Sequence, residues 1–135
     1  MEPKSKVDST KTRLDHEPLD VTAKLGWRYH HLGLPTDSPR LGEKYLKDLK
    51  MYISGFGKSP YGIEWMRFEP DSPVSDLVKT VPHIAFEVDN IEDEVHRLKD
   101  KGIKFLSGIH TYPKTGKRLV YLWGPDRILL ELAQY

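Results

Sequence analysis

Two histidines and two glutamates recur at related points of this chain and could hold one divalent cation. His31 opens the run His31-Leu-Gly-Leu-Pro-Thr-Asp, and Glu64 stands in Ile63-Glu64-Trp65. His83 opens His83-Ile-Ala-Phe-Glu-Val-Asp, and Glu131 stands in Leu130-Glu131-Leu132. Two neutral imidazoles and two carboxylates balance a divalent charge. They suit octahedral Ni²⁺, Co²⁺, Mn²⁺ or Fe²⁺ and can also hold Zn²⁺. Four protein ligands leave two adjacent octahedral positions, which two neighbouring oxygens of one small substrate could fill. The ion would then be a Lewis acid for an enediolate, and one glutamate, Glu131 or Glu64, could leave it and act as base. The chain has no cysteine, which excludes disulfides and thiolate chemistry and leaves His and carboxylate as the candidate metal ligands.

Each residue also has a plainer reading. His83 could be a satisfied core histidine, since it lies opposite a well-formed apolar face. His30 adjoins His31, and a one-residue shift of register would send the other imidazole inward. Glu64 could pair with Arg67 or face solvent. Glu131 stands among Leu129, Leu130 and Leu132, company in which a carboxylate is seldom buried unless paired or coordinated. Glu87 shares the face of His83 and is either a lining residue or an exposed one. His96 reads as a solvated helix residue and His110 as a loop residue. Trp65, Tyr121 and Trp123, with Met66, Tyr29 and Tyr61, are either pocket walls or core. Lys117 and Arg118 are either solvated charges or contacts for an anionic group.

The elements that must position these residues also repeat. His31 to Met51 and His83 to Ile103 are both intervals of 20 residues. In each, an alternating strand is followed by a helix-like stretch and a second strand, a sign of a duplicated unit. Residues 25–34 read as a strand and 38–50 as a helix with the stripe Leu41, Tyr45, Leu46 and Leu49. Residues 51–56 and 61–68 read as strands. Pro82 to Val88 alternates, with Ile84, Phe86 and Val88 on one face and His83, Ala85 and Glu87 on the other. Asn90 then caps a helix whose buried stripe is Ile91, Val95 and Leu98, with Gly102 after its end. Residues 103–106, 118–123 and 128–133 read as strands, 107–117 as a loop and 124–127 as a tight turn. His31 to Glu64 spans 33 positions and His83 to Glu131 spans 48, so the first unit is 15 residues short after its helix, about one strand and its turn.

Composition sets the frame. The length of 135 residues fits one domain of modest core. Residues 1–26 read as a polar arm and 27–135 as the folded domain, with units at about 27–70 and 81–135. A formal net charge of +1 recommends neither nucleic acid nor an anionic membrane as partner. No apolar run approaches a membrane span or a signal-peptide core, so a cytoplasmic location is the expectation. A shortened unit leaves an edge and apolar surface, and a homodimer is expected to cover them.

These segments together resemble the vicinal oxygen chelate superfamily, which includes glyoxalase, bleomycin-resistance and dioxygenase proteins. The resemblance runs over about residues 27–134 and is carried by the two His-led strands, the Lys101-Gly102-Ile103 helix end and Gly124-Pro-Asp ahead of Leu130-Glu131-Leu132. It implies an α+β fold in which paired βαβββ modules, here with the first one strand short, curl into a half-barrel cup. It implies His31, Glu64, His83 and Glu131 as metal ligands from the first and last strands of each module. The His, Glu, His, Glu order resembles glyoxalase I, which implies a metal-dependent lyase or isomerase acting on a small metabolite with vicinal oxygens. Methylmalonyl-CoA epimerase and ring-cleaving dioxygenases use related ligand sets. A site of His31, His83 and Glu131 alone would leave a third exchangeable position and favour dioxygen chemistry with Fe²⁺. The alternative within the resemblance is a metal-free protein that binds a drug or metabolite in the same cup.

Overall fold

A computed structural model describes residues 25–124 and 127–135. The expected polar arm over residues 1–26 therefore lies almost wholly outside the described residues, as does the centre of the expected turn over 124–127. The elements in chain order are β1 (Arg28–Pro35), β2 (Lys44–Leu46), β3 (Met51–Ser54), β4 (Ile63–Phe68), α1 (Asp76–Thr80), β5 (His83–Glu87), α2 (Ile91–Asp100), β6 (His110–Thr111), β7 (Arg118–Trp123) and β8 (Leu129–Gln134). All eight strands join one sheet in the order β2-β3-β4-β1-β5-β8-β7-β6.

The duplication seen in the sequence becomes a pseudo-two-fold axis between β1 and β5. These strands pair antiparallel, with His31 opposite Ala85 and Gly33 opposite His83. Each has a parallel outer neighbour: Gly33 lies beside Glu64 on β4, and Ala85 lies beside Glu131 on β8. Both carboxylates thus flank the residue two past their own histidine. Cross-strand partners share a face, so His31, Gly33, Glu64, His83, Ala85 and Glu131 all look to one side of the sheet. The sheet curls around that side. Lys114, in the loop after β6, reaches Asp48, in the turn after β2, at 3.0 Å. The α+β half-barrel expected from the sequence is the fold observed.

The opposite, convex face holds the core of the second half. Val120, Leu122, Leu130 and Leu132 from β7 and β8 pack on Ile91, Val95 and Leu98 of α2, joined by Val88. Asn90 caps α2 by accepting from the Asp93 amide at 3.1 Å.

The first half departs from expectation twice: the expected helix is absent, and the strand expected to be missing is present. It has its full four strands, and residues 38–50 form β2 and a single 3₁₀ turn, Lys47–Leu49, where a helix is predicted. The 15-residue deficit is thus the missing helix rather than a missing strand. Gly42 adopts φ +77°, which no helix accommodates, and Leu41 of the supposed stripe is 92% exposed. Pairing of residues 44–46 with β3 wins instead, with Tyr45 packed on Tyr52 at 4.7 Å between ring centroids. The convex face here is covered by charge on aromatic surface. Arg40 lies over Trp65 at 4.2 Å and Arg67 over Tyr52 at 4.0 Å. Arg67 also makes two hydrogen bonds to Glu43.

A smaller correction concerns residues 103–106, predicted as a strand. Only Phe105 makes a bridge, to Leu122. Its side chain is used to cover the core beyond the end of α2, and the edge strand β6 forms inside the expected loop. Among the described residues no helix is long and apolar enough to cross a membrane.

Candidate metal centre

Three of the four proposed ligands meet at the floor of the cup. One ligand atom each from His31, His83 and Glu131 lies within 4.8 Å of the others, and all three residues are buried. His31 Nε2 is 3.2 Å from His83 Nε2, and His83 Nε2 is 3.7 Å from Glu131 Oε1. The sheet register explains the close approach. The His83 ring lies flat over Gly33, where a Cβ would come within 2.2 Å of Cε1. The residue opposite His31 is Ala85, fully buried and equally small for a strand.

A β-bulge in β1, between Tyr29 and His31, resolves the ambiguity between the adjacent histidines. Both turn inward. His31 reaches the cluster, while His30 stands behind it with Nδ1 2.8 Å from His31 Nδ1. The His30 ring stacks on Phe56 at 5.2 Å and on Tyr135 at 4.6 Å. These three rings back His31 at the nitrogen remote from His83. Tyr121 lies beside Glu131 in the ladder and donates to its Oε1 at 3.0 Å. Lys117, one residue before β7, places Nζ 3.3 Å from Glu131 Oε2. The alignment is poor for a hydrogen bond, and Oε2 has no other partner.

Electrostatics favour a cation here. Burial, ahead of its charged neighbours, lowers the His31 pKa from 6.5 to about 4. Burial also lowers that of His83. Both rings are therefore neutral at pH 7, with lone pairs available. Burial alone would raise the Glu131 carboxyl, but Lys117 and then the histidines outweigh it, so it sits below its ordinary range. Two neutral imidazoles and a buried carboxylate fit a divalent ion of the first transition row. His31 has a supporting partner at its remote nitrogen, as ligating imidazoles usually do, whereas His83 Nδ1 has none.

Glu64 faces the same cup but its carboxylate is not one of the three converging groups. Burial raises its pKa. It does not pair with Arg67, which is taken by Glu43. Glu87 lies at the rim, 3.4 Å from Arg28. His96 is an exposed helix residue beside Asp100, and His110 is exposed. Trp65 faces away from the cup, under Arg40, while Met66 is buried on the cup face. Arg118 pairs with Glu92. Lys117, offered by the sequence as a solvated charge or an anion contact, lies in the cup, and Tyr112 and Tyr135 were not singled out. The alternation Lys117, Leu119, Tyr121 and Glu131, Ala133, Tyr135 carries the signal for two of them.

Residues 23–132 match the family model described as Glyoxalase/Bleomycin resistance protein/Dioxygenase superfamily. An uncharacterized protein of Bacillus subtilis strain 168, YwkD, is 37% identical over 77 residues, which is 55% of this chain and 59% of that protein. The matched stretch thus spans little more than half of that relative. Among solved structures, hypothetical protein BH1468 from Bacillus halodurans C-125 is similar with a TM-score of 0.59 at 18% identity, over 81% of this chain and 94% of the other. Methylmalonyl-CoA epimerase from Mycobacterium tuberculosis gives a TM-score of 0.54 at 16% identity, over 79% and 87%. At these identities the two structures speak for the fold alone.

Proposed function

Because the chain belongs to the glyoxalase/bleomycin resistance/dioxygenase superfamily, we propose that it is a metal-dependent lyase or isomerase acting on a small metabolite with two neighbouring oxygens. The observation that carries this reading is the buried convergence of His31, His83 and Glu131 within 4.8 Å. A divalent ion held there would supply Lewis acidity toward the two substrate oxygens. The protein's own residues do the rest. Tyr121 orients Glu131 through its hydroxyl. Glu64, on the symmetry-related strand, would turn toward the ion as a fourth ligand and would be the base for the substrate's carbon-bound proton. Desolvation brings its carboxyl closer to the proton affinity that a base working near neutrality needs. The aromatic layer of His30, Phe56 and Tyr135 fixes the His31 ring through its Nδ1.

The test is metal content. Dialysed wild-type protein should retain one equivalent of Ni²⁺, Co²⁺, Zn²⁺, Mn²⁺ or Fe²⁺ and melt higher with it. His83→Ala and Glu131→Ala should lose both properties, with affinity falling on the order of a hundredfold. His96→Ala, on the exposed face of α2, should match wild type. Wild-type protein that takes up no metal removes this reading and leaves the metal-free binding protein in its place.

A second reading is favoured by the separate position of Glu64. Two histidines and one carboxylate are the ligand set of non-haem Fe²⁺ oxygenases. Under that reading Glu64→Gln leaves metal affinity unchanged and the Fe²⁺-loaded protein consumes O₂ with a catechol.

The homodimer belongs to the same proposal. Tyr29, Phe56 and Tyr61 are exposed near one another, the Tyr29 hydroxyl donating to the Tyr61 carbonyl, and Leu41 is exposed on the half without a covering helix. Light scattering at micromolar concentration should give twice the 15.6 kDa chain mass. A value of one chain would remove the dimer without touching the metal centre.

A further inference from the structure

The half-buried ammonium of Lys117 has no part in the proposed reaction, and its position gives it one. Its side chain is 19% exposed, and Nζ lies between Glu131 Oε2 at 3.3 Å and the Tyr135 ring, 5.1 Å from the centroid. A lysine held partly out of water persists where it is paired, and here its carboxylate partner is also a proposed metal ligand. We propose that Lys117 is the anion receptor of the metal-loaded cup, released from Glu131 by the cation and turned to a carboxylate on the substrate; this inference rests on the metal-centre reading.

A divalent ion at the three converging ligands satisfies Glu131 and repels an ammonium only a few ångströms away. The lysine stem has four rotatable bonds, so the ammonium can turn away without moving β7. The side chain is only 19% exposed, and a charge left there without a partner is costly. The Tyr135 ring offers a π face but no full negative charge. Among the described residues Glu64 is the competing carboxylate on this face, and the proposed reaction assigns it to the cation and to proton transfer. A substrate carboxylate beside the two chelating oxygens supplies the missing partner. The substrate class is thereby narrowed to small acids with an additional pair of vicinal oxygens.

The experiment uses Co²⁺-loaded wild type, Lys117→Met and Lys117→Arg, with Co²⁺ absorption bands reporting both metal and ligand. The probes are oxalate, which chelates and leaves anionic oxygens facing the cup, and acetohydroxamate, which chelates but presents a methyl group. Lys117→Met should bind Co²⁺ at least as tightly as wild type, since a competing cation is gone. It should bind oxalate at least about tenfold more weakly and acetohydroxamate within about threefold. Lys117→Arg should keep oxalate binding within about threefold. Oxalate affinity unchanged in Lys117→Met, or Co²⁺ affinity lowered tenfold by that substitution, overturns the receptor role; the latter would make Lys117 a structural support of Glu131. Wild type that binds no Co²⁺ overturns the metal reading itself, a result distinct from either.

Discussion

Gly33→Ala should cost the protein its metal affinity, on the order of a hundredfold, and destabilise the fold by about 1–3 kcal/mol. The added Cβ would stand 2.2 Å from Cε1 of His83 and 2.7 Å from each ring nitrogen. The His83 ring has no room to retreat. It is 2% exposed and walled by the rings of His31 and Tyr121, at 5.3 and 5.9 Å between centroids. The backbone at Gly33 is ordinary strand, so the effect is steric and falls on His83. Urea unfolding and Co²⁺ titration read the two consequences separately. Gly57→Ala is the control, because nothing lies within 4 Å of the Cβ it adds. Wild-type Co²⁺ affinity in Gly33→Ala would show that His83 is not a ligand.

The metal-free protein should lose about 3 kcal/mol of stability as pH falls from about 6.5 to about 4, from His31 alone. The sign follows from proton counting. Unfolded His31 takes up a proton near pH 6.5, while the folded, buried ring resists until about 4. Between these values the unfolded chain binds more protons, so stability is full above the window and drains away through it. His83 is shifted in the same direction by burial and adds to the loss. Glu131, held below its ordinary range chiefly against its own burial, gives up its contribution at still lower pH. Glu64 works in the opposite sense, since its raised pKa means the folded state holds its proton more firmly. Urea midpoints measured between pH 7.5 and 4.5 with chelator present should therefore fall steadily, and His31→Gln should flatten the slope. A wild-type midpoint independent of pH over that range would mean that the histidines are not buried as neutral rings.

The sequence by itself determined the repeat and, through it, the face on which the chemistry sits. Strict alternation around His83 and Glu131 fixes which side chains share a side of a strand. The two His-led strands are related by the pseudo-two-fold, so pairing His31 with His83 needed no coordinates, but the equal 20-residue intervals are not reproduced in space: Met51 opens β3, the mate of β7, whereas Ile103 precedes β6. The capped helix at 91–100 was equally legible, because its cap, stripe and terminal glycine are local signals that agree.

Tertiary structure decided the rest. Residues 38–50 carry helical spacing of apolar side chains, yet the free edge of β3 claims three of them as β2, a pairing partner that no local pattern reveals. The choice between His30 and His31 rests on a bulge set by how β1 fits β4 and β5, and the outcome is that both turn inward in different roles. Lys117, at the end of a Gly/Pro/Thr loop, reads in the sequence as either a solvated charge or a contact for an anionic group. Only the curl of the sheet, which carries the start of β7 over the floor of the cup, brings it against Glu131. Glu64 shows the limit most clearly. Register places it as the symmetry mate of Glu131, but whether its carboxylate reaches the cation depends on side-chain packing across the cup, which spacing along a strand does not encode.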